Sequence, residues 1–410
     1  MQIEVINSEA ELARLGPEWS ELVSGSDADN PFLHWEWCSA WWRHYGDGNE
    51  LVVVLARDGD RLVGLAPLYL ARTDGGGRPG VMKFLGTNEV CSEYLDFALR
   101  PGYEETGSRS LFDFLLHDLC TQWRQLQLTH IPATTATVGR VEHYLRSEHE
   151  AFRIERGATS WQIDLAGSWD EFQHGLSRSR REKYRRARRD MEKHDLRFHE
   201  VGTRDELGAA WDDLKRLHQA RWEQQGTRGC FASSRFAAFH AEMLSSFWQR
   251  GMLSLTSLRH GERTVAASYS VRHRGHVYFY QAGVDPAWLH CRPGHSLRCC
   301  EVRRAIERGD RVFDFLGGDE EYKSQWATRQ TAMLNVIVAG RGLLPRVRFG
   351  IESAGRWMKE SARTRVPSET WATLKRWRRR LTGTPSHEPD REPGLGTKPQ
   401  STESRDLASV

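Results

Sequence analysis

Hydrophobic and polar positions change period along the chain, and the changes mark out helices and strands in turn. Gln2–Ile6 alternates and predicts a strand, after which Ser8 opens an amphipathic helix. Trp35–Tyr45 carries its apolar residues at helical spacing. From Leu51 the period falls to two. LVVVLARDGDRLVGLAPLY, residues 51–69, sets apolar β-formers on both sides of Asp58-Gly59, a hairpin whose tight turn uses the positive φ open to glycine. A matching strand–turn–strand phrase returns 202 positions later as LSLTSLRHGERTVAASYSV, residues 253–271. Leu51/Leu253, Arg57/Arg259, Gly59/Gly261, Arg61/Arg263 and Val63/Val265 occupy equivalent places. A helix precedes each hairpin (Trp35–Tyr45 and Ser234–Arg250). A helix feeding a short strand follows each: Leu111–Cys120 into Gln125–Ile131, and Ser296–Arg308 into Arg311–Leu316. The repetition predicts two related modules, residues 1–165 and 166–340, and makes the ground between them a place to look for function.

The rest of the pattern fills in each module. Short strands are expected near Val81–Leu85 and Tyr94–Phe97, with a Gly-rich loop at 72–80. In the second module Ser168 caps a short helix, Ser177 starts a strongly basic one, and Leu196–Glu200 is a strand. Helices over Arg204–Gln224 and Ser234–Arg250 lead to three strands, Leu253–Leu258, Thr264–Arg272 and His276–Gly283. Val312–Leu316 and Met333–Val338 complete the set. Strands outnumber those of a strict βα alternation, and hairpins connect them. The predicted class is mixed α/β, with a mostly antiparallel mixed sheet flanked by helices in each module.

Charge changes the picture after Gly340. Residues 341–382 hold twelve Lys/Arg against three Glu, with Trp357, Met358, Trp371, Leu374 and Trp377 at helical spacings. This is a basic amphipathic helical extension, suited to an anionic membrane surface, to a partner, or to packing on the second module. Residues 383–410 are rich in Pro, Gly and Ser and are expected to be a disordered tail. Elsewhere composition mostly excludes. The 410 residues are 39% hydrophobic and 28% charged, and no apolar run approaches the ~20 residues of a membrane span. The start, MQIEVINSEAELARL, is acidic and amphipathic, unlike a signal peptide. Seven Cys at irregular spacing, without CxxC, fit a reducing cytoplasm. Sixteen Trp point to a Trp-rich core.

Three segments carry candidate chemistry. In Asp314–Trp326 a buried strand ends in an acid and two glycines, Gly317 and Gly318, whose backbone can approach a ligand closely. Tyr322 and Lys323 follow, the lysine a cation for phosphate or carboxylate. In Gln281–Ser296 a strand feeds a helix through Pro293-Gly294, with Arg292 and His295 beside a helix start that favours phosphate. His290, Cys291 and His295 match no standard zinc spacing, so no metal is expected. In Ser177–Asp190 arginines surround a helix, as a solvated face or a binder of polyanions. GxSxG, HExxH and P-loop motifs are absent. GGGRPG at 75–80 has no helix to open.

These residues resemble a known group, the GNAT-type acyltransferases related to the cellulose-biosynthesis CelD proteins, and more remotely the Fem aminoacyltransferases. The resemblance rests on Ser177, Arg181, Arg186 and Ala187 in the basic helix, on Tyr280 to Gly283, on Pro293-Gly294, and on Asp314-Phe315 through Tyr322-Lys323 to Trp326. It covers roughly residues 30–340 and implies two GNAT-like modules in tandem, with the main site in the second. The implied reaction is acyl transfer to an amine from acetyl-CoA or another acyl-CoA, in cell-envelope or exopolysaccharide metabolism. Gln281, Gly283, Arg292, Gly294 and Ser296 would hold the cofactor. Arg181, Lys323, Gly317 and Gly318 would hold the acceptor, and His295, Asp319 or Tyr322 would take the proton. The usual pyrophosphate pattern is altered here, with Cys291 at its first place and Ser296 at its second glycine. Two alternatives remain open: transfer from aminoacyl-tRNA, as in Fem enzymes, or a non-catalytic protein binding polysaccharide-synthesis machinery or nucleic acid.

Overall fold

The computed structural model describes residues 1–72, 80–224, 226–318 and 321–365. The loop expected at 72–80 lies almost wholly outside the described residues, as do Asp319, the end of the basic extension and the tail at 383–410. The chain forms β1 (Gln2–Ile6), α1 (Glu9–Ser24), α2 (Trp35–Tyr45), β2 (Glu50–Asp58), β3 (Arg61–Ala71), β4 (Gly80–Phe84), β5 (Ala98–Leu99), α3 (Glu104–Asp113), β6 (Trp123–Pro132), α4 (Thr137–Ser147) and β7 (Phe152–Asp164). It continues through α5 (Trp169–Gly175), α6 (Arg178–Lys193), β8 (Arg197–Glu200), α7 (Leu207–Gln224), α8 (Ser234–Gln249), β9 (Leu253–His260), β10 (Arg263–His273), β11 (His276–Val284), α9 (Pro293–Glu307), β12 (Val312–Gly317), α10 (Glu321–Trp326), β13 (Arg329–Ala339) and α11 (Leu343–Arg365).

Local chemistry sets the element ends. Ser8 Oγ accepts from the Glu11 backbone N–H and donates to its carboxylate, a capping box for α1. Ser168, Ser177 and Ser233 cap α5, α6 and α8 in the first of these ways. Gly59 and Gly261 turn their hairpins at φ +58° and +54°. Both hairpins are therefore built as the sequence predicts, with Asp58 facing Arg61 and His260 facing Arg263.

All strands among the described residues join one sheet, in the order β1-β2-β3-β4-β6-β13-β7-β12-β11-β10-β9-β8, with β5 on β3. Neighbours are antiparallel except β4–β6 and β11–β12, which are parallel. Read inward from either edge, the same series appears: an edge strand, a hairpin, a third antiparallel strand, a parallel step, then one more antiparallel strand. That last strand comes from the opposite half. β13 pairs with β6, and β7 pairs with β12, while β7 and β13 pair with each other at the centre. The two halves thus share their middle strands.

Several of the described tryptophans are core. Trp19, Trp37, Trp41 and Trp123 are fully buried, and each indole N–H has a partner: Leu33 O, Ser92 Oγ, Thr87 O and Leu115 O respectively. In the second half α7 and α8 cover one face of β9–β11, where Trp211 packs on Tyr269. The alternate residues Thr256 and Ser268 point the other way, to Glu301 of α9. Two expectations move. The strand expected at Tyr94–Phe97 is a loop with Tyr94 at φ +57°, and pairing begins only at Ala98. The helix expected at Leu111–Cys120 begins at Glu104 and ends in a π turn, Phe114–Asp118.

Candidate active site

The parallel pair β11–β12 comes apart. It is registered at His276↔Val312, Val277↔Phe313 and Tyr278↔Asp314, and no further, although β11 runs on to Val284 and β12 to Gly317. Irregularities on both strands produce the parting. β11 has one extra residue, Tyr280, against Tyr269 and Ser270 of β10. β12 shifts register against β7 between Asp314 and Gly317, where Leu316 adopts φ +58°. A bulge bends its strand, and a left-handed leucine is backbone strain of the kind that concentrates at functional sites. The result is a wedge with a length of unpaired β11 edge along one side.

One face of the wedge is furnished by the first half. The Glu93 carboxylate accepts from Gly317 N at 2.5 Å, and the Tyr280 hydroxyl donates to Val90 O at 2.5 Å. At the vertex Asp314, fully buried, gathers donors from four elements. Oδ1 accepts from Ser160 Oγ (2.6 Å) and Leu316 N (2.7 Å). Oδ2 accepts from Gln162 Nε2 (3.0 Å), from Tyr94 OH and from His276 Nε2 (3.1 Å). Gln162 Nε2 also donates to Tyr94 OH at 2.7 Å, and Thr331 Oγ1 donates to Gln162 Oε1 at 3.3 Å. Burial pushes the Asp314 carboxyl up, but His276, Ser160 and Tyr94 outweigh it and hold the group below the ordinary carboxylate range. Burial, and then the Asp314 charge, push the Tyr94 phenol well up. His276 stacks on Tyr278 with ring centroids 4.1 Å apart. Since Nε2 donates to Asp314, a neutral His276 carries its lone pair on Nδ1.

The opposite face is covered by α9. Phe279, Phe313 and Phe315 line it, and the buried Arg298 guanidinium lies 3.4 Å above the Phe279 ring while pairing with Glu301. Here the sequence-predicted residues spread out. His295 sits between the Trp326 ring, 4.8 Å away, and Cys299 Sγ, 3.8 Å away, and burial lowers its pKa. Tyr322 is 38% exposed beside Phe315, its ring centroid 6.3 Å away. Lys323 is 5% exposed, with Nζ donating to Gly317 O at 2.6 Å. Gly318 O accepts from Trp161 Nε1 at 3.1 Å. Arg181 reaches the carbonyl of His174 at 3.3 Å and so caps the end of α5. Arg292, at φ +50°, pairs with Asp190 at 2.5 Å. Ser296 is fully buried against α6, its Oγ 3.5 Å from Ala187 O. Gly294 faces Val284. A Cβ on Gly283 would lie 2.7 Å from Leu217 C, so this glycine admits α7 to the sheet. A Cβ on Gly317 would lie 2.5 Å from Glu93 Oε1. Gln281 stands on β11 opposite Tyr269, just past the bulge.

Lys323, Gly317 and Gly318 are thus brought together at the end of β12, and Gln281 lies on the unpaired edge across the wedge. Arg292, Gly294, His295 and Ser296 stand at the start of α9, and Arg181 lies apart. Sequence reading overlooked Glu93, Tyr94, Ser160, Gln162 and His276. The first four lie at least 150 residues from β12, on segments that read as a short strand or carry no clear pattern. His276 was visible only as the first residue of a predicted strand.

Residues 178–324 match the acetyltransferase (GNAT) domain family. No curated protein matches the chain. Among solved structures, FemX superposes with a TM-score of 0.54 at 10% identity, covering 81% of this chain and 97% of its own. The C-terminal domain of a proposed lysylphosphatidylglycerol synthetase from Agrobacterium fabrum gives 0.52 at 11% identity, covering 83% and 95%. A conserved protein from Bacteroides thetaiotaomicron gives 0.52 at 10% identity, covering 82% and 100%. At such identities the likeness is one of fold. Residues 178–324, which include the parted parallel strands, are therefore similar to the GNAT acetyltransferase domain family, and the fold of the chain is similar to that of FemX.

Proposed function

We propose that the protein is an N-acyltransferase whose donor thioester lies in the wedge between β11 and β12. The observation that carries this reading is the end of pairing at Tyr278↔Asp314 while both strands continue. Beyond that point the β11 edge offers backbone donors and acceptors to a donor molecule, as an open strand edge does to an added strand. The acceptor amine attacks the thioester carbon, and the oxygen gains negative charge that backbone N–H groups stabilise. The thiolate then leaves as the carbonyl re-forms. The ammonium proton passes to a base at the wedge. Glu93, with its carboxylate on Gly317 N, is suited to that part. The Asp314 network fixes the vertex and orients His276. Positioning supplies much of the rate in such direct transfers. The donor is acyl-CoA and the acceptor an amine of cell-envelope or exopolysaccharide chemistry, in keeping with the CelD-like residues.

One observation favours a second reading. The start of α9 is closed by α6, through Arg292 on Asp190 and the burial of Ser296. A pyrophosphate bound there would have to take Arg292 from Asp190. A Fem-like enzyme using aminoacyl-tRNA makes no such demand on this turn. Thermal shift separates the readings, because a ligand that binds only the folded chain raises its Tm. Acetyl-CoA is expected to raise Tm. A rise with tRNA and none with acetyl-CoA supports the second reading and overturns the acyl-CoA donor.

The proposal extends to α11. Leu343, Leu344, Val347 and Ile351 are among its exposed residues, at 50 to 82%. Arginines stand among them, and Arg341 and Arg346 hold Glu150 at 3.0 and 2.8 Å. An exposed apolar stripe in a basic helix suits the surface of an anionic membrane.

A further inference from the structure

Three soft or borderline metal donors meet at a place the acyl-transfer reading does not use. His194 ends α6, and His290 and Cys291 end the 3-10 turn Pro286–Cys291 that leads from β11 to α9. One ligand atom of each lies within 4.8 Å of the other two. We propose that His194, His290 and Cys291 form a site for a divalent transition ion of the zinc type, with a water or a further ligand in the fourth position.

The donor chemistry is selective. Two imidazoles and a thiolate suit Zn2+ and Co2+, whereas Mg2+ and Ca2+ take oxygen ligands. Orientation is already partly set. His290 Nδ1 lies 3.2 Å from Ala287 O, which can only accept, so the proton is on Nδ1 and the lone pair on Nε2. A backbone carbonyl on the far nitrogen is the usual support of a ligating histidine. Among the described residues the His194 ring has no side-chain hydrogen bond, and it meets the edge of His290, centroids 5.4 Å apart. Cys291 is 1% exposed, and its thiol donates to Trp288 O at 3.1 Å. A closed zinc tetrahedron holds its donors roughly 3.3–3.8 Å apart. His290 is exposed, and a small tilt of its ring about the Nδ1–Ala287 contact closes the remaining distance. Binding M2+ breaks the S–H bond and forms S–M, and the thiol proton is released to solvent.

The spacing hid this site. His290 and Cys291 are adjacent, but the third donor lies 96 positions earlier and arrives only because α6 packs along α9. His295, the neighbour in sequence, turns instead to Cys299 and Trp326. An ion held here ties the last turn of α6 to the turn that precedes α9. It thereby braces Arg292 and Gly294, and this role holds whatever donor the wedge takes.

The test is Co2+ titration of the chelator-stripped full chain, without a histidine tag, followed by absorption. The expected result is one Co2+ per chain, with tetrahedral d–d bands and a near-ultraviolet sulfur-to-cobalt charge-transfer band, both erased by Zn2+. His290→Ala, an exposed change that leaves the fold intact, should weaken Co2+ binding on the order of 100-fold. Cys291→Ser should remove the charge-transfer band. Absence of that band from the wild type, or a band unchanged by His290→Ala, overturns the site.

Discussion

Asp314 is the residue on which the vertex depends. It is fully buried and receives donors from β7, β11, its own strand and the Tyr94 loop. In Asp314→Asn one acceptor becomes a donor facing donors, and a buried charge loses its role. The expected cost is about 3 kcal/mol by urea unfolding at pH 7, with loss of turnover. The sign in pH follows from the lowered carboxyl. Its contribution is present above the ordinary carboxylate pKa and is lost as pH falls through the lower folded value. His240 acts at higher pH. It is fully buried among Trp37, Phe236, Phe239 and Tyr280, both ring nitrogens lack a hydrogen-bond partner among the described residues, and burial lowers its pKa to about 3. Burial likewise lowers His218 to about 4. For a histidine held neutral in the fold, stability is complete above about pH 6.5 and falls as the unfolded chain takes up protons. Between pH 7 and 5 each such group costs about 2 kcal/mol. His240→Leu should leave stability at pH 7 unchanged or raised and remove about that much of the acid-side loss. Unfolding at both pH values checks it, and an unchanged slope would mean that His240 is protonated in the fold.

At the scale of elements, much was legible where the cause is local. The Asp58-Gly59 and His260-Gly261 turns, the Ser caps and the Trp35–Tyr45 helix depend on neighbouring residues, and they appear where the pattern puts them. The 13-residue β7 was not seen. FRIERGATSWQID alternates at its two ends but changes phase across the small and polar middle, where Gly157 and Ala158 together oppose the single Met333 of β13. α4 passed unnoticed for want of a cap: Ala136, at its N-cap, makes no side-chain hydrogen bond. The same distinction applies to α11. Its first turns pack, with Phe349 8% exposed under the Arg153 guanidinium, while Leu343, Leu344 and Ile351 stay exposed. Truncation after Gly340 is expected to leave a folded, active protein that no longer pellets with anionic vesicles at low salt. Equal pelleting by the truncated and full chains would reject the membrane role, and loss of solubility would assign the helix to packing.

At the scale of the molecule, the duplicated hairpins led to a matched pair of half-sheets, but the exchange of β7 and β13 depends on pairing across more than 150 residues, which no local pattern encodes. The same exchange explains why the site was only half read. Its second-half residues stand out in the sequence, Gly317 and Lys323 at a Gly-rich strand end and Gln281 on the strand that leads to the Pro293-Gly294 helix start. Its first-half residues, Glu93 and Tyr94, reach the wedge only through the shared sheet. The central claim is that the parted β11 edge receives the acyl donor. Hydrogen–deuterium exchange of the full chain, with and without saturating acetyl-CoA, tests it most directly. Slowed exchange at residues 279–284, with change extending to 292–296, is the predicted result. Acetyl-CoA that binds without slowing 279–284, or that protects only the equivalent β4–β6 region of the first half, would contradict it.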